Sequence, residues 1–280
     1  MANYTTKDIK ELRELTGAGM MDVKKALDEA NGDRDEAIKI IRLAGQKSLA
    51  KREDRSAAAG LVAAKVEDCE AGQVGIMVEV NSETDFVAKN EKFVAFADEV
   101  LQAAIDAKAS TIEELLAAST PEGRTVKEAQ DAMAALVGEK VVVNRVARVE
   151  GEAVSSYLHY SNKDLPAQVG VLVATDKAAA EVAHDVALHI AAYQPAYLDR
   201  DEVPAEVVEK ERATLEDLTR SEGKPEKIIG KIVEGRLGAF YKEICLVDQD
   251  FARDPSTTVG KVVSATGGKV TGFARFHVGA

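Results

Sequence analysis

Tryptophan is missing from this chain, and aromatic residues of all kinds make up only 5% of it. A surface that stacks nucleic-acid bases needs rings in number, so the composition weighs against one. Basic residues are the minority among the charges, 36 Lys and Arg against 48 Asp and Glu, for a net charge of −12. That balance argues against general binding to a phosphate backbone, which takes clustered cations, and no nucleic-acid partner is expected. Cysteine occurs twice, as Cys69 and Cys245, far apart and in no Cys-x-x-Cys pair. A disulfide framework does not fit this usage, and a reducing compartment is expected. The opening MANYTTKDIKEL has no apolar signal core, and no stretch approaches the run of about 18 apolar residues that spans a membrane. A soluble, cytoplasmic protein with no membrane partner is expected.

Catalytic signatures are equally scarce. Thr266-Gly267-Gly268-Lys269 resembles the end of a phosphate loop, but Val263 stands where the first glycine is required. Val270 occupies the place of the magnesium-binding Ser or Thr, so a hairpin turn is expected instead. Gly17-Ala18-Gly19 lacks the third glycine of a dinucleotide fingerprint, with Asp22 in its place, and follows a helix rather than a strand. The closest of the histidines, His184 and His189, point in different directions on a helix, while His159 and His277 lie far from them. No cofactor, metal or direct nucleotide site is expected, nor is an enzyme.

What is present is modular. In residues 1–45, Thr6 is placed to cap a first helix with Ile9, Leu12 and Leu15 at helical spacing. Gly17 and Gly19 permit a turn into a second helix near Met20–Ala30, which carries Val23, Ala26, Leu27 and Ala30 inward. Asn31-Gly32 ends it, and Asp33-Arg34-Asp35-Glu36 opens a third helix with Ala37, Ile38 and Ile41 buried. Residues 46–59 read as a linker with helical tendency. Beyond it, Gln73-Val74-Gly75-Ile76-Met77-Val78 matches Gln168-Val169-Gly170-Val171-Leu172-Val173 at an offset of 95 residues. Phe96-Ala97-Asp98-Glu99-Val100 resembles Val182-Ala183-His184-Asp185-Val186 at an offset of 86.

Each copy reads as strand, turn, strand, helix, an α+β unit used twice. The earlier strands are placed at Leu61–Val66 and Ala153–His159. Helices opening at Ser110-Thr111 and at Thr125 lie between the copies, and a strand is expected at Val141–Val149. Pro204–Arg220 and Glu226–Ala239 read as two antiparallel helices around Ser221-Glu222-Gly223-Lys224-Pro225, and a last strand at Val270–Val278. The resulting division is 1–45, linker 46–59, core unit 60–140, core unit 141–200 with 254–280, and helical arm 201–253.

The difference between the two offsets leaves about nine extra residues in the first copy, Ser-Glu-Thr-Asp-Phe-Val-Ala-Lys-Asn. This insertion reads as an extended polar loop, yet it carries a large ring, Phe86, between Asp85 and Val87. Buried, such a ring would close the loop onto its own core; exposed, it would serve a partner. Met20 and Met21 face about 100° apart on a helix, so at least one is expected at the surface, where a flexible side chain suits binding.

LRELTGAGMMDVKKALDEANGDRDEAI followed by VEVNSETDFVAKNEKFVAFA resembles bacterial elongation factor Ts, the family of guanine-nucleotide exchange factors for the translational GTPase elongation factor Tu. The likeness runs from about Lys7 to Val278. It implies an α+β protein with an N-terminal three-helix module of ubiquitin-associated (UBA) type, two similar core subdomains and an inserted coiled-coil arm. It also implies a partner, elongation factor Tu in GDP-bound and nucleotide-free states, and allows for a homodimer of the factor within a larger complex. The family's Asp-Phe pair, here Asp85 and Phe86 flanked by Thr84 and Val87, inserts near the GTPase's magnesium site. Arg13, Met20 and Met21 resemble N-terminal contacts, with Lys24 beside them. Val137-Gly138 fits a turn that supports the Asp-Phe loop and touches the partner, and His159 a contact of the second subdomain, although Tyr160 departs from the family pattern. Longer members continue into a C-terminal helical module, whose contacts are expected to be absent from a chain ending FARFHVGA. The rival reading is a UBA-like adaptor or chaperone-like binder without exchange activity.

Overall fold

The computed structural model describes residues 3–16, 18–50 and 52–280. Gly17, expected to help the first turn, lies outside them. Helices α1 (Thr6–Thr16), α2 (Met20–Glu29) and α3 (Arg34–Ala50) close over Leu12, Val23, Ala26, Leu27 and Ala37. Thr5, not Thr6, caps α1: its hydroxyl oxygen accepts the Asp8 N–H, while the Asp8 carboxylate accepts from Thr5. Leu15 is 68% exposed rather than inward. Steps of three residues drift about 60° each from the helical repeat, which turns Leu15 well away from Ile9. Asn31 and Gly32 take positive φ (51° and 88°) and reverse the chain into α3. That helix runs through residues 46–50 of the expected linker. Beyond it, Arg52 Nη1 donates to the Ala134 carbonyl at 3.0 Å.

The first core unit is an antiparallel sheet of β1 (Ala59–Cys69), β2 (Gly72–Ser82) and β3 (Val141–Gly151), in that order. Between β2 and β3 come α4 (Asp85–Ala88), α5 (Glu91–Asp106), α6 (Ile112–Ala117) and α7 (Val126–Val137). Capping boxes open α6 at Thr111–Glu114 and α7 at Thr125–Glu128. The second unit begins with β4 (Ala153–His159) and β5 (Val169–Thr175). After α8 (Ala183–Tyr193) come α9 (Ala205–Ser221), α10 (Glu226–Ile244), β6 (Asp250–Phe251), β7 (Asp254–Thr258) and α11 (Val259–Ala265). Strand β8 (Val270–His277) then pairs with β5, giving the order β4-β5-β8.

The two sheets face each other across Val62, Met77, Leu172, Phe276 and Val278. Their outer faces are covered by helices: Ile76, Val78 and Val80 pack with Phe93 and Phe96 of α5. Val171 and Val173 pack with Val186 and Ile190 of α8. The repeated glycines meet this interface in matching fashion. A Cβ on Gly75 would lie 3.0 Å from Leu172 Cδ2, and one on Gly170 would lie 2.6 Å from Met77 Sδ. Each copy of Gln-Val-Gly thus seats a side chain from the other copy.

Several expectations change. Val141–Gly151 does not open the second unit; it hydrogen-bonds to β2 and completes the first sheet. Alternating residues mark a strand but not its partner, and here that partner is separated by four helices. The repeated unit consequently has three strands, the third being β3 in one copy and β8 in the other. The arm is shorter than 201–253, because Leu246 and Phe251 belong to the buried cluster of the second unit. Gly267 turns the chain, with φ 76°, from α11 into β8 rather than between two strands. That short helix has only Val259 and Val263 as buried markers. Helices α9 and α10 run antiparallel as expected, packed on Ile229, Val233 and Leu237. Among the described residues, no helix is long and apolar enough to cross a membrane.

Candidate functional site

Residues 82–90 are not an extended loop. They fold into the single turn α4, with Ala88 N–H donating to the Thr84 carbonyl and Lys89 N–H to that of Asp85. Asn90 then caps α5, its side chain accepting the Lys92 N–H at 2.9 Å. The turn has two faces. Ala88 is buried and Val87 packs against the first core cluster, whereas Asp85 and Phe86 point outward. Phe86 is 72% exposed, with Lys89 Nζ 4.8 Å from its ring centroid. A ring this bare in water forgoes about 1–2 kcal/mol of burial, so it is not there for its own fold.

The base of the turn is anchored from the far end of the same unit. Gly138 ends α7 in the left-handed region (φ 79°), where a Cβ is disfavoured, and swings the chain round. Glu139 then accepts hydrogen bonds from the Thr84 N–H at 3.0 Å and the Thr84 hydroxyl at 2.7 Å. In return, Glu83 accepts the Lys140 N–H at 2.6 Å. That bond, opposed by burial and aided by Arg55, holds the Glu83 carboxyl below its ordinary range. Ser82 adds a hydroxyl bond to the Thr84 carbonyl at 3.0 Å.

Thr84, Asp85, Phe86, Val87, Val137 and Gly138 therefore share one end of the first unit. The other expected residues do not join them. Arg13 is exposed on α1, and Met20, Met21 and Lys24 are exposed on α2, the two methionines at 58% and 62%. His159 ends β4 in the second unit, with Nδ1 2.9 Å from the Tyr157 hydroxyl, and Tyr160 next to it is 60% exposed. The expected residues thus divide among the three-helix module, the first core unit and the second core unit.

Sequence reasoning passed over Glu83, Lys89 and Glu139. Lys89 had a signal, three residues after Phe86 in a segment that can form a helical turn. Glu139 had none, since nothing local links a carboxylate to a backbone amide 55 residues earlier. Among the described residues, no group of three or more His, Cys, Asp or Glu is arranged to hold a metal ion. The loop at Thr266–Lys269 has its amides in use: Gly268 N–H donates to the Thr266 hydroxyl and Lys269 N–H to Asp176.

The chain is similar in sequence to known proteins along its whole length. The family model described as Elongation factor TS matches residues 83–280, beginning at the braced turn. Elongation factor Ts of Beutenbergia cavernae and that of Micrococcus luteus are each 60% identical to the chain over 282 aligned residues. The protein of that name from Kineococcus radiotolerans is 51% identical over 280. Each alignment covers 100% of both chains, so the three-helix module outside the family-model match is shared as well. With the bare Phe86 turn and end-to-end identity of this size, the chain belongs to the elongation factor Ts family.

Proposed function

We propose that this chain is a nucleotide-exchange factor for elongation factor Tu, acting by protein contact rather than as an enzyme. It engages the GDP-bound GTPase in the cytoplasm and promotes release of GDP and magnesium, so that GTP can bind. The observation that carries the reading is the exposed Phe86 ring on a turn fixed at its base, in a chain of this family. The three-helix module, read as UBA-type, and the α9–α10 pair, read as a coiled-coil arm, supply further contact area.

Such a factor binds the nucleotide-free GTPase more tightly than the loaded one, and by linkage each ligand then weakens the other equally. Speeding GDP release ten-thousandfold lowers the barrier by about 5.5 kcal/mol. Burying one Phe in a partner contributes about 1.5–3 kcal/mol. Phe86 therefore works with the surfaces at Arg13, Met20, Met21, Lys24 and His159, which add the remainder. Magnesium demands a near-ideal octahedral shell, so a wedge that shifts its supporting helices works against its retention. Asp85 lies beside the ring to take up donors of the displaced segment. Each copy carries its own ring, and the mechanism requires no second copy.

The test is release of fluorescent GDP from elongation factor Tu on mixing with this protein. Rapid, factor-dependent release is expected. Binding without acceleration would transfer the chain to the rival class of adaptors.

A further inference from the structure

We infer that Glu83 and Glu139 form a crossed brace that fixes the Asp85-Phe86 turn for insertion, with Glu139 as the positioning residue next to it. This rests on the exchange reading above. Two dipeptides, Glu83-Thr84 and Glu139-Lys140, each lend a carboxylate to the other's backbone: Glu139 takes the Thr84 N–H at 3.0 Å and Glu83 the Lys140 N–H at 2.6 Å. The arrangement is built around the ring. Helix α4 has only four residues, far below the length at which a helix sustains itself. Its capping position, Thr84, makes no side-chain cap bond; the hydroxyl goes to Glu139 instead, at 2.7 Å. With Asp85 and Phe86 in solvent, the outer half of the turn has no packing to hold it. Val87 and Ala88 seat its inner half on the core, and Glu139, which follows α7 through Gly138, adds the polar hold at its base. Lys140 extends the fixation, its Nζ donating to the carbonyls of Glu53 and Arg55.

Bonds to a carboxylate are the strong kind, and each replaces freedom that binding would otherwise have to remove. A ring fixed before contact spends its burial on the partner rather than on its own ordering. Residue Glu139 touches neither partner nucleotide nor metal in this scheme; it acts through Phe86.

The experiment is a double-mutant cycle of Glu139→Ala and Phe86→Ala. Its readouts are the maximal rate of fluorescent GDP release from elongation factor Tu and amide hydrogen exchange at Thr84. Glu139→Ala is expected to lower the maximal rate about tenfold, as misplacement of a working group does. It is also expected to speed exchange at Thr84 about tenfold, the size of a lost charge-assisted bond. In the Phe86→Ala background it should take away nothing more. An equal loss in both backgrounds, undiminished release, or unaltered protection at Thr84 overturns the brace. If Glu139→Ala does not fold, Glu83→Ala removes the acceptor of the Lys140 N–H and Thr84→Val the hydroxyl strut; each is judged by its loss of release with and without Phe86→Ala, and by amide exchange at Lys140 and at position 84 respectively. Wild-type release by Phe86→Ala sinks the exchange reading itself, while protection at Thr84 still decides whether the brace exists.

Discussion

Glu79, wholly buried on β2, accepts the Arg145 Nε at 2.6 Å from the neighbouring strand β3. The same carboxylate accepts from the Asn81 side chain and the Gly279 N–H, and Arg145 donates to the His277 carbonyl. One ion pair thereby fastens the end of the last strand onto the first sheet. The two partners are not equivalent. Arg145 retains 34% exposure and Glu79 none. Arg145→Met strands a buried carboxylate and should cost about 3–5 kcal/mol, whereas Glu79→Ala leaves a cation with access to water and should cost about 2–3 kcal/mol. Denaturant unfolding of the two variants checks the order.

Phe86→Ala should leave stability within about 0.5 kcal/mol of the parent, because the ring contributes so little to its own fold. Release of GDP from the partner should nevertheless fall by at least about tenfold, given the burial a Phe provides. Thermal melting and the release assay on one preparation test both halves. A large drop in melting temperature would show that the ring has a structural duty.

The paired glycines predict matching sensitivity in two places 95 residues apart. Gly75→Ala drives a methyl to 2.8 Å from Val154 Cγ1, and Gly170→Ala to 2.5 Å from Val62 Cγ1. Valine is stiff, so the sheets must part slightly, at about 1–3 kcal/mol for each change. Equilibrium unfolding measures this; neutral substitutions would mean that the sheets are looser than their spacing indicates.

His189 makes the stability depend on pH. Buried against Tyr193, with ring centroids 4.6 Å apart, it accepts the Ala252 N–H at Nδ1, and its Nε2 lies 2.8 Å from Gln249 Oε1. Burial lowers its pKa from 6.5, with the Gln249 bond opposing in part. In the unfolded chain it takes a proton near pH 6.5; in the folded chain it does so only at lower pH. The unfolded state then binds more protons, so this contribution is complete above about pH 6.5 and is lost as pH falls through the folded value. The melting temperature should decline across that window in the parent, and less steeply in His189→Gln.

Much of the helical framework was legible because its signals are local. Thr111 and Thr125 begin helices with an acid three residues on, and Val23, Ala26 and Leu27 share one helical face. The Gln-Val-Gly repeat disclosed the duplication, although not that its glycines face each other's sheets. Pairing was hidden, as β3 and β8 return to their sheets only after long excursions. At the site, the ring itself stood out as a large apolar residue in a polar insertion. Its support did not, since a carboxylate and an amide 55 positions apart share no pattern. The helical turn at Asp85–Ala88 is illegible for a related reason: a four-residue helix has too few positions to display a period.

The α9–α10 hairpin leaves and re-enters the second unit at one point. The Tyr197 N–H bonds to the Ile244 carbonyl, and the Leu246 N–H bonds to that of Tyr197. Its reach is consequently uncoupled from strand register. Adding or deleting matched turns in both helices moves the tip by about 5.4 Å at a time and leaves the junction untouched, so the length of this helix pair can change without rebuilding the rest of the second unit.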